Sequence, residues 1–229
     1  MPHRAQHDAI RRLMAGVKGF RARYYERNPE NMRELAEHGQ KPDVLLIGCS
    51  DSRVDPALLT QAEPGELFVV RNVANLVPPY QPDGHYHGTS AAIEYAVKVL
   101  EVRHVVVLGH ARCGGIQGLI RLNSGEPPPG DFIAPWVSIA QSACERFIPA
   151  SGGDCGEGGA GSATYLQDCP HLVERAAVRG SVENLMTFPF VRERIVQGHL
   201  HIHGWWFDID SGELWVIDPE TKVFVPVFE

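Results

Sequence analysis

The sequence has no apolar run long enough to cross a bilayer, no excess of basic residues and no framework of cysteines. Charges interrupt the N-terminal MPHRAQHDAIRRLMAGVKGF, which lacks the apolar core of a signal peptide, so we expect a cytoplasmic protein with no membrane partner. The net charge of −7 argues against a nucleic-acid partner, because phosphates attract basic surfaces. Five cysteines, an odd number without small-domain spacing, favour a reducing compartment.

The chain also lacks an internal repeat and a linker between two domains. Its 229 residues, 44% of them apolar, are enough for one domain with a substantial core. The glycine-rich stretch 149–162 has no preceding strand and no GK[ST] ending, so it is a surface loop rather than a phosphate cradle. We therefore expect a single domain over residues 1–229, in which residues 1–39 form an N-terminal helical arm.

Apolar residues recur with helical spacing from Ile10 to Tyr24, and Gly39 is placed to end a second short helix. Buried strands are predicted at 44–49, 65–72 and 105–110, where apolar residues are consecutive. A helix capped by Thr89 or Ser90 separates the last two of these strands. This alternation predicts right-handed crossovers between parallel strands.

The C-terminal half continues the alternation and then changes. One helix is predicted from Phe132 to Phe147, and helical spacing over 172–195 is broken at Pro189. Strands at 200–208 and 213–218 flank a short turn and should pair as an antiparallel hairpin. The predicted fold class is α/β, with a mostly parallel central β-sheet flanked by helices, the N-terminal helical arm and this C-terminal antiparallel edge hairpin.

Three metal-binding side chains follow two of the predicted strands. Cys49 ends VLLIGC, whereas His110 and Cys113 end VVVLGHARC. Parallel sheets carry their sites beyond the carboxyl ends of the strands, so these two thiols and one imidazole should meet. A Cys2His set holds one catalytic Zn²⁺ per chain and leaves a fourth position for water. The alternative to a metal site is that the two cysteines are merely small buried residues and that His110 is a hydrogen-bonded histidine.

A carboxylate and a guanidinium lie beside the first predicted ligand. Asp51 and Arg53 are two residues apart, so in extended chain they share a side and can form a bidentate pair. Held in this way, Asp51 would orient a zinc-bound hydroxide, although it could instead be a fourth ligand or part of a surface ion pair. Two thiolates cancel the zinc charge, so this metal should lower the pKa of its bound water less than a three-histidine site does. We therefore expect activity that rises with pH through neutrality.

Four segments resemble the β-class carbonic anhydrases: CSDSRV, EPGELFVVRNVAN, GTSAAIEYAV and GHARCGGI, in this order. The resemblance covers about 39–122 and is nearest to the plant-like branch. It implies zinc-dependent, reversible hydration of CO2 to bicarbonate and a proton. It also implies zinc on Cys49, His110 and Cys113, the Asp51–Arg53 pair, and homodimers that can associate into tetramers or larger assemblies.

The resemblance further implies a small apolar substrate pocket. In the plant-like branch the counterpart of Gln40 reaches the active site across the dimer interface, and the counterparts of Phe68, Val73 and Tyr95 line the pocket. The backbone amide of Gly114, beside a zinc ligand, could hold a substrate oxygen.

One departure from the family concerns regulation by bicarbonate. Members with a second bicarbonate site carry tryptophan three residues before the first zinc cysteine, where this chain has Leu46. Arg71 matches another residue of that site. Without the tryptophan we expect no such regulation, water on the metal, and an intact Asp51–Arg53 pair.

Two rival functions remain open at this stage. The same scaffold and ligands serve CS2 and COS hydrolases, which an assay with both kinds of substrate would separate. A non-enzymatic zinc or thiol sensor would release metal on oxidation of Cys49 and Cys113. The other cysteines, Cys144, Cys155 and Cys169, are expected to be free, because they show no metal-binding spacing.

Overall fold

The computed structural model of the chain describes residues 2–126, 128–148 and 169–227. The chain divides into two compact units, Met1–Lys41 and Pro42–Glu229. The predicted helical arm corresponds to the first unit. The single domain expected over 1–229 stays a prediction.

The first unit contains helices α1 (Pro2–Arg21) and α2 (Pro29–His38), joined by a π-helical turn at Ala22–Arg27. Gly39 ends α2 as predicted: its φ is 82°, and its amide donates to the carbonyl of Leu35. The apolar stripe of α1 stays exposed, with Ile10, Leu13, Met14, Val17 and Phe20 all more than 40% accessible. An exposed stripe of this size is typical of a contact surface.

The second unit alternates strands and helices before it becomes entirely strand at its end. Its strands are β1 (Val44–Cys49), β2 (Leu67–Asn72), β3 (His104–His110), β4 (His201–Phe207), β5 (Leu214–Ile217) and β6 (Phe224–Pro226). Its helices are α3 (Pro56–Thr60), α4 (Gly88–Glu94), α5 (Gly114–Asn123), α6 (Ile133–Val137), α7 (Gln141–Phe147), α8 (Pro170–Leu185) and α9 (Pro189–Val196). Among the residues described, no helix is both long and apolar enough to cross a membrane.

The strands form one sheet in the order β2-β1-β3-β4-β5-β6. The first four are parallel, and β5 and β6 add antiparallel pairs at one edge. The predicted α/β fold class is therefore confirmed, and β6 is a strand that the sequence pattern did not reveal. Because β1 and β3 are central and parallel, their carboxyl ends lie side by side.

Both faces of the central strands bury apolar side chains, which explains their unbroken apolar runs. Leu45, Ile47 and Val107 are fully buried on the face that packs against α8 and α9, with Val178 and Val191 among their neighbours. A second cluster lies around the carboxyl ends of the strands and surrounds the two cysteines of the predicted site. The site therefore sits on the core rather than on a mobile surface loop.

Two local predictions were wrong. Helix α4 begins at Gly88 after an N-cap at His87, and Thr89 accepts a hydrogen bond from Asn72 instead of capping the helix. The helix expected from Phe132 to Phe147 is divided by a 3-10 turn at Ser138–Ala140, and Phe132 is 86% exposed. The helical period was correct there, but the segment is divided where the Ser138 hydroxyl donates to the carbonyl of Pro135 at 2.8 Å. The predicted loop at 149–162 lies outside the described residues.

Candidate metal centre

The predicted ligands are brought together by the ends of neighbouring strands. Cys49 is the last residue of β1 and His110 the last of β3, and these two strands pair in parallel. Cys113 follows after a two-residue turn and is the N-cap of α5. All three side chains are buried, at 5%, 1% and 1% exposure in chain order. The fold thus holds all three side chains in the core at the carboxyl ends of the strands.

The donor atoms of this trio match a tetrahedral metal site. The two sulfur atoms are 3.8 Å apart, and all three ligand atoms lie within 4.8 Å of one another. Zinc–sulfur bonds of about 2.3 Å at a tetrahedral angle place two sulfurs roughly 3.8 Å apart. The spacing therefore fits a shared zinc ion, and no other described group of three such residues does so.

The imidazole of His110 is oriented as a ligand. Its Nδ1 lies 2.8 Å from the carbonyl oxygen of Ala111, and since a carbonyl only accepts, Nδ1 carries the proton. Nε2 then holds a lone pair, yet it is buried without a hydrogen-bond partner. A buried nitrogen of this kind is costly unless something binds it. A metal ion would complete this arrangement, because the backbone already orients the ring.

The two thiols form one proton-sharing pair. A hydrogen bond from Cys113 lowers the pKa of Cys49, whereas that same bond and burial raise the pKa of Cys113 far above its ordinary value. One thiolate forms readily, and the second is opposed by the first charge. Backbone amides of the first turn of α5 favour the Cys113 thiolate, as a helix N-terminus does. A divalent cation would remove the repulsion between the two.

Asp51 and Arg53 form the predicted contact. Arg53 Nε and Nη2 donate to the two carboxylate oxygens at 2.9 and 2.7 Å, and its amide donates at 3.0 Å. Arg53 thereby lowers the pKa of Asp51 below its usual range. The carboxylate Oδ2 is 3.9 Å from His110 Nε2, so the pair lies beside the ligands. Both carboxylate oxygens of Asp51 therefore accept hydrogen bonds from the Arg53 side chain.

Arg71 secures the turn that carries this pair. Its guanidinium donates to the carbonyls of Cys49 and Asp51 at 2.9 and 2.6 Å and to the Asp55 carboxylate at 2.8 Å. Asp55 in turn caps α3. These contacts give Arg71 a structural role in this chain. Leu46, at the position of the regulatory tryptophan, is 1% exposed and packs in the sheet core.

The predicted pocket residues fall into two groups. Val73 lies in the 3-10 turn after β2, and Gly114 begins α5 beside Cys113, with open space around the position of a Cβ atom. Phe68 of β2 pairs with Leu45 of β1, whereas Cys49 pairs with Asn72. Phe68 therefore lies four residues from the level of Cys49, which is roughly 13 Å along the strand. Tyr95 packs near Phe68, with ring centroids 5.8 Å apart, and is 45% exposed. Gln40 belongs to the first unit.

An apolar cavity of about 610 Å³ adjoins Val73. Trp136 closes one side of it and donates from its indole nitrogen to the carbonyl of Val73 at 2.7 Å. Phe132 and Ile139 add further apolar surface. The sequence pattern does not predict this cavity, because the spacing of Phe132 and Trp136 favours ordinary helix packing.

Sequence reasoning also missed a buried carboxylate behind the site. Glu174 of α8 is 2% exposed, accepts from the Cys113 amide at 3.3 Å and from the Trp206 indole at 3.2 Å. Burial raises its pKa. The available signal was a charged residue within the apolar stripe of a helix, where Leu172, Val173 and Ala176 are also buried.

The remaining cysteines differ from expectation in one case. Cys144 is free and buried, and burial raises its pKa to about 12. Cys169 is disulfide-bonded, so the prediction that it is free was wrong. The prediction rested on short-range spacing, which does not report pairs formed by folding. Cys155 lies outside the described residues.

The chain is similar to known proteins over most of its length. The family model described as carbonic anhydrase matches residues 44–214. A carbonic anhydrase of Synechococcus elongatus is 40% identical over 206 residues, covering 90% of this chain and 70% of that protein. β carbonic anhydrase 3 of Arabidopsis thaliana is 37% identical over 217 residues, covering 93% and 80%.

Solved structures give the same result. The β-carbonic anhydrase CcaA superposes with a TM-score of 0.81 at 32% identity, covering 97% of this chain and 93% of that one. One of two tetrameric β-carbonic anhydrases of Sordaria macrospora superposes with a TM-score of 0.73 at 28% identity, covering 92% and 97%. The similarity therefore extends over both units and well beyond the motif segments.

Proposed function

Since this chain belongs to the β-class carbonic anhydrase family, we propose that it hydrates CO2 reversibly, with one zinc ion held by Cys49, His110 and Cys113. The observation that carries the proposal is the convergence of three buried donor atoms, the two cysteine sulfurs and Nε2 of His110. This nitrogen has no hydrogen-bond partner. When bound, zinc supplies the positive charge that makes water a nucleophile near neutral pH. The protein's part is to orient the reactants and exclude competing ligands.

Asp51 is proposed to orient the attacking water. Its carboxylate is ionised and bound by Arg53 on both oxygens, so its remaining lone pairs accept hydrogen bonds but offer no proton. Arg53 also donates to the carbonyl of Arg112 at 3.1 Å, which ties the turn after β1 to the turn after β3. The Asp51–Arg53 pair therefore has a defined orientation relative to the ligands. A group that orients a reactant needs such a fixed position.

The substrate pocket is proposed to combine an apolar wall with one donor. Val73 lies in a turn that packs against the start of α5, since a Cβ on Gly115 would lie only 2.7 Å from Val73 Cγ1. The amide of Gly114, at the start of α5, is proposed to donate to a developing oxygen charge. An apolar wall suits CO2, which is linear and without a net dipole.

Gln40, Phe68 and Tyr95 are proposed to act in the site of a second subunit. Phe68 and Tyr95 form an aromatic pair distant from the ligands of their own chain, and Tyr95 is half exposed. The exposed stripe of α1 offers an apolar contact, and the Sordaria macrospora relative is tetrameric. A dimer in which each subunit completes its partner's pocket accounts for these observations.

Zinc content per chain, measured alongside CO2 hydration, tests the proposal. We expect about one zinc per chain and rapid hydration that is lost when a chelator removes the metal and regained when zinc is restored. COS and CS2 are assayed in parallel, and faster turnover of either than of CO2 would favour a hydrolase. A metal-free chain that still hydrates CO2 would contradict the proposal, and zinc without turnover would favour a sensor.

A further inference from the structure

The turn between His110 and Cys113 has a backbone conformation that needs support. Arg112 has a φ of 56°, in the left-handed region that residues other than glycine seldom adopt. This geometry turns the chain from the end of β3 into α5 and so sets the direction of the Cys113 side chain. A strained residue next to a ligand persists only when neighbouring contacts hold it.

Three separate contacts hold this turn. The Arg112 guanidinium binds the Asp210 carboxylate, with Nε 3.0 and 2.7 Å from its two oxygens. Arg53 donates to the carbonyl of Arg112. The following amide, that of Cys113, donates to Oε1 of Glu174 at 3.3 Å. The first two partners are exposed, whereas the third is buried at 2% exposure.

The carboxylate of Glu174 is itself held on both oxygens. Oε2 accepts from the Trp206 indole at 3.2 Å, and Trp206 is 4% exposed on β4. Helix α8, which carries Glu174, packs against the sheet through Val178, which lies close to Gly109 of β3 and Gly204 of β4. The acceptor for the Cys113 amide is therefore placed by a rigid helix and a strand.

We propose that Glu174 is a positioning residue for zinc: by accepting from the Cys113 amide it holds the strained Arg112 turn, so that the Cys113 sulfur is set for the metal before the metal arrives. The inference rests on the zinc site proposed above. It assigns Glu174 no contact with substrate. Loss of the acceptor should leave the Cys113 amide buried without a partner, and the turn should relax away from the ligand geometry.

Zinc release to a coloured chelator tests this role without reference to activity. In Glu174→Gln alone, the side-chain NH2 group would face the indole N–H of Trp206, so that two donors would oppose each other. The comparison is therefore made in a Trp206→Phe parent. There Glu174→Gln keeps an acceptor for the Cys113 amide, whereas Glu174→Met keeps the length of the side chain and removes the acceptor. We expect release from the Glu174→Met protein to be about tenfold faster or more, and release from the Glu174→Gln protein to match the parent.

Leu185→Ala is the matched control for stability. Leu185 lies on the same helix and is fully buried, but it does not touch the turn. Its loss should lower the unfolding midpoint and leave zinc release unchanged. Equal release from the Met, Gln and parent proteins, or faster release in Leu185→Ala, would overturn the inference while zinc binding itself stands. A parent chain that binds no zinc would instead contradict the proposed function.

Discussion

Replacing Asp51 with asparagine separates a catalytic carboxylate from a metal ligand. In the structure Arg53 makes three hydrogen bonds to the Asp51 carboxylate, at 2.7 to 3.0 Å. Asparagine keeps one acceptor and presents an NH2 group where the other oxygen was, so it must face an Arg53 donor with a second donor. The substitution should therefore break the paired geometry while leaving the three ligands untouched.

The expected losses differ in size for turnover and for stability. The Arg53 side chain is 50% exposed and that of Asp51 is 16% exposed, so solvent screening should leave only a small effect on stability. Loss of a positioned acceptor in the reaction costs about 10²–10⁴-fold in rate, equivalent to about 3–5 kcal/mol.

Stopped-flow CO2 hydration and zinc content should be measured on the same preparation of Asp51→Asn. We expect zinc to stay at the level of the unmodified chain while turnover falls by at least about a hundredfold. Arg53→Lys is the companion variant, because it keeps the charge but loses the two-point contact. Zinc lost in step with turnover would identify Asp51 as a ligand, and full turnover would refute the orienting role.

Three further predictions follow from the geometry. Co-expressing Gln40→Ala with Asp51→Asn should restore about a quarter of the unmodified activity, since half of randomly paired dimers are mixed and each has one intact site; no recovery would show that Gln40 serves its own chain. Gly115→Ala should lower the free energy of unfolding in urea by about 1–3 kcal/mol, because its Cβ would lie 2.7 Å from Val73 Cγ1, and an unchanged midpoint would contradict this. Zinc should be retained at neutral pH and released as pH falls, since protons compete for the thiolates and imidazole; constant content after dialysis down to about pH 4 would argue against this ligand set.

Much of the site was predictable because its signals are local. Strand β1 reads as an apolar run that ends abruptly at Cys49, and β3 ends in the same way at His110. A side chain at the end of a buried parallel strand has little choice of position, since the sheet fixes the strand and the strand fixes its last residue. The same holds for Asp51 and Arg53, whose contact spans two residues.

Other features depend on residues that are distant in sequence. Trp136 reaches Val73 across 63 residues, and Glu174 reaches Cys113 across 61. Each has a local pattern that favours ordinary helix packing, so no single window reveals the partner.

Chain order and side-chain pattern were sufficient to predict the α/β alternation, the parallel strands and the convergence of Cys49, His110 and Cys113. Tertiary structure alone decided that Glu174 supports the Cys113 turn, that Arg71 binds the turn after β1, and that Phe68 lies far from the ligands of its own chain. The physical reason is range: periodicity and strand ends act over a few residues, whereas a buried hydrogen bond forms wherever packing brings a donor and an acceptor together.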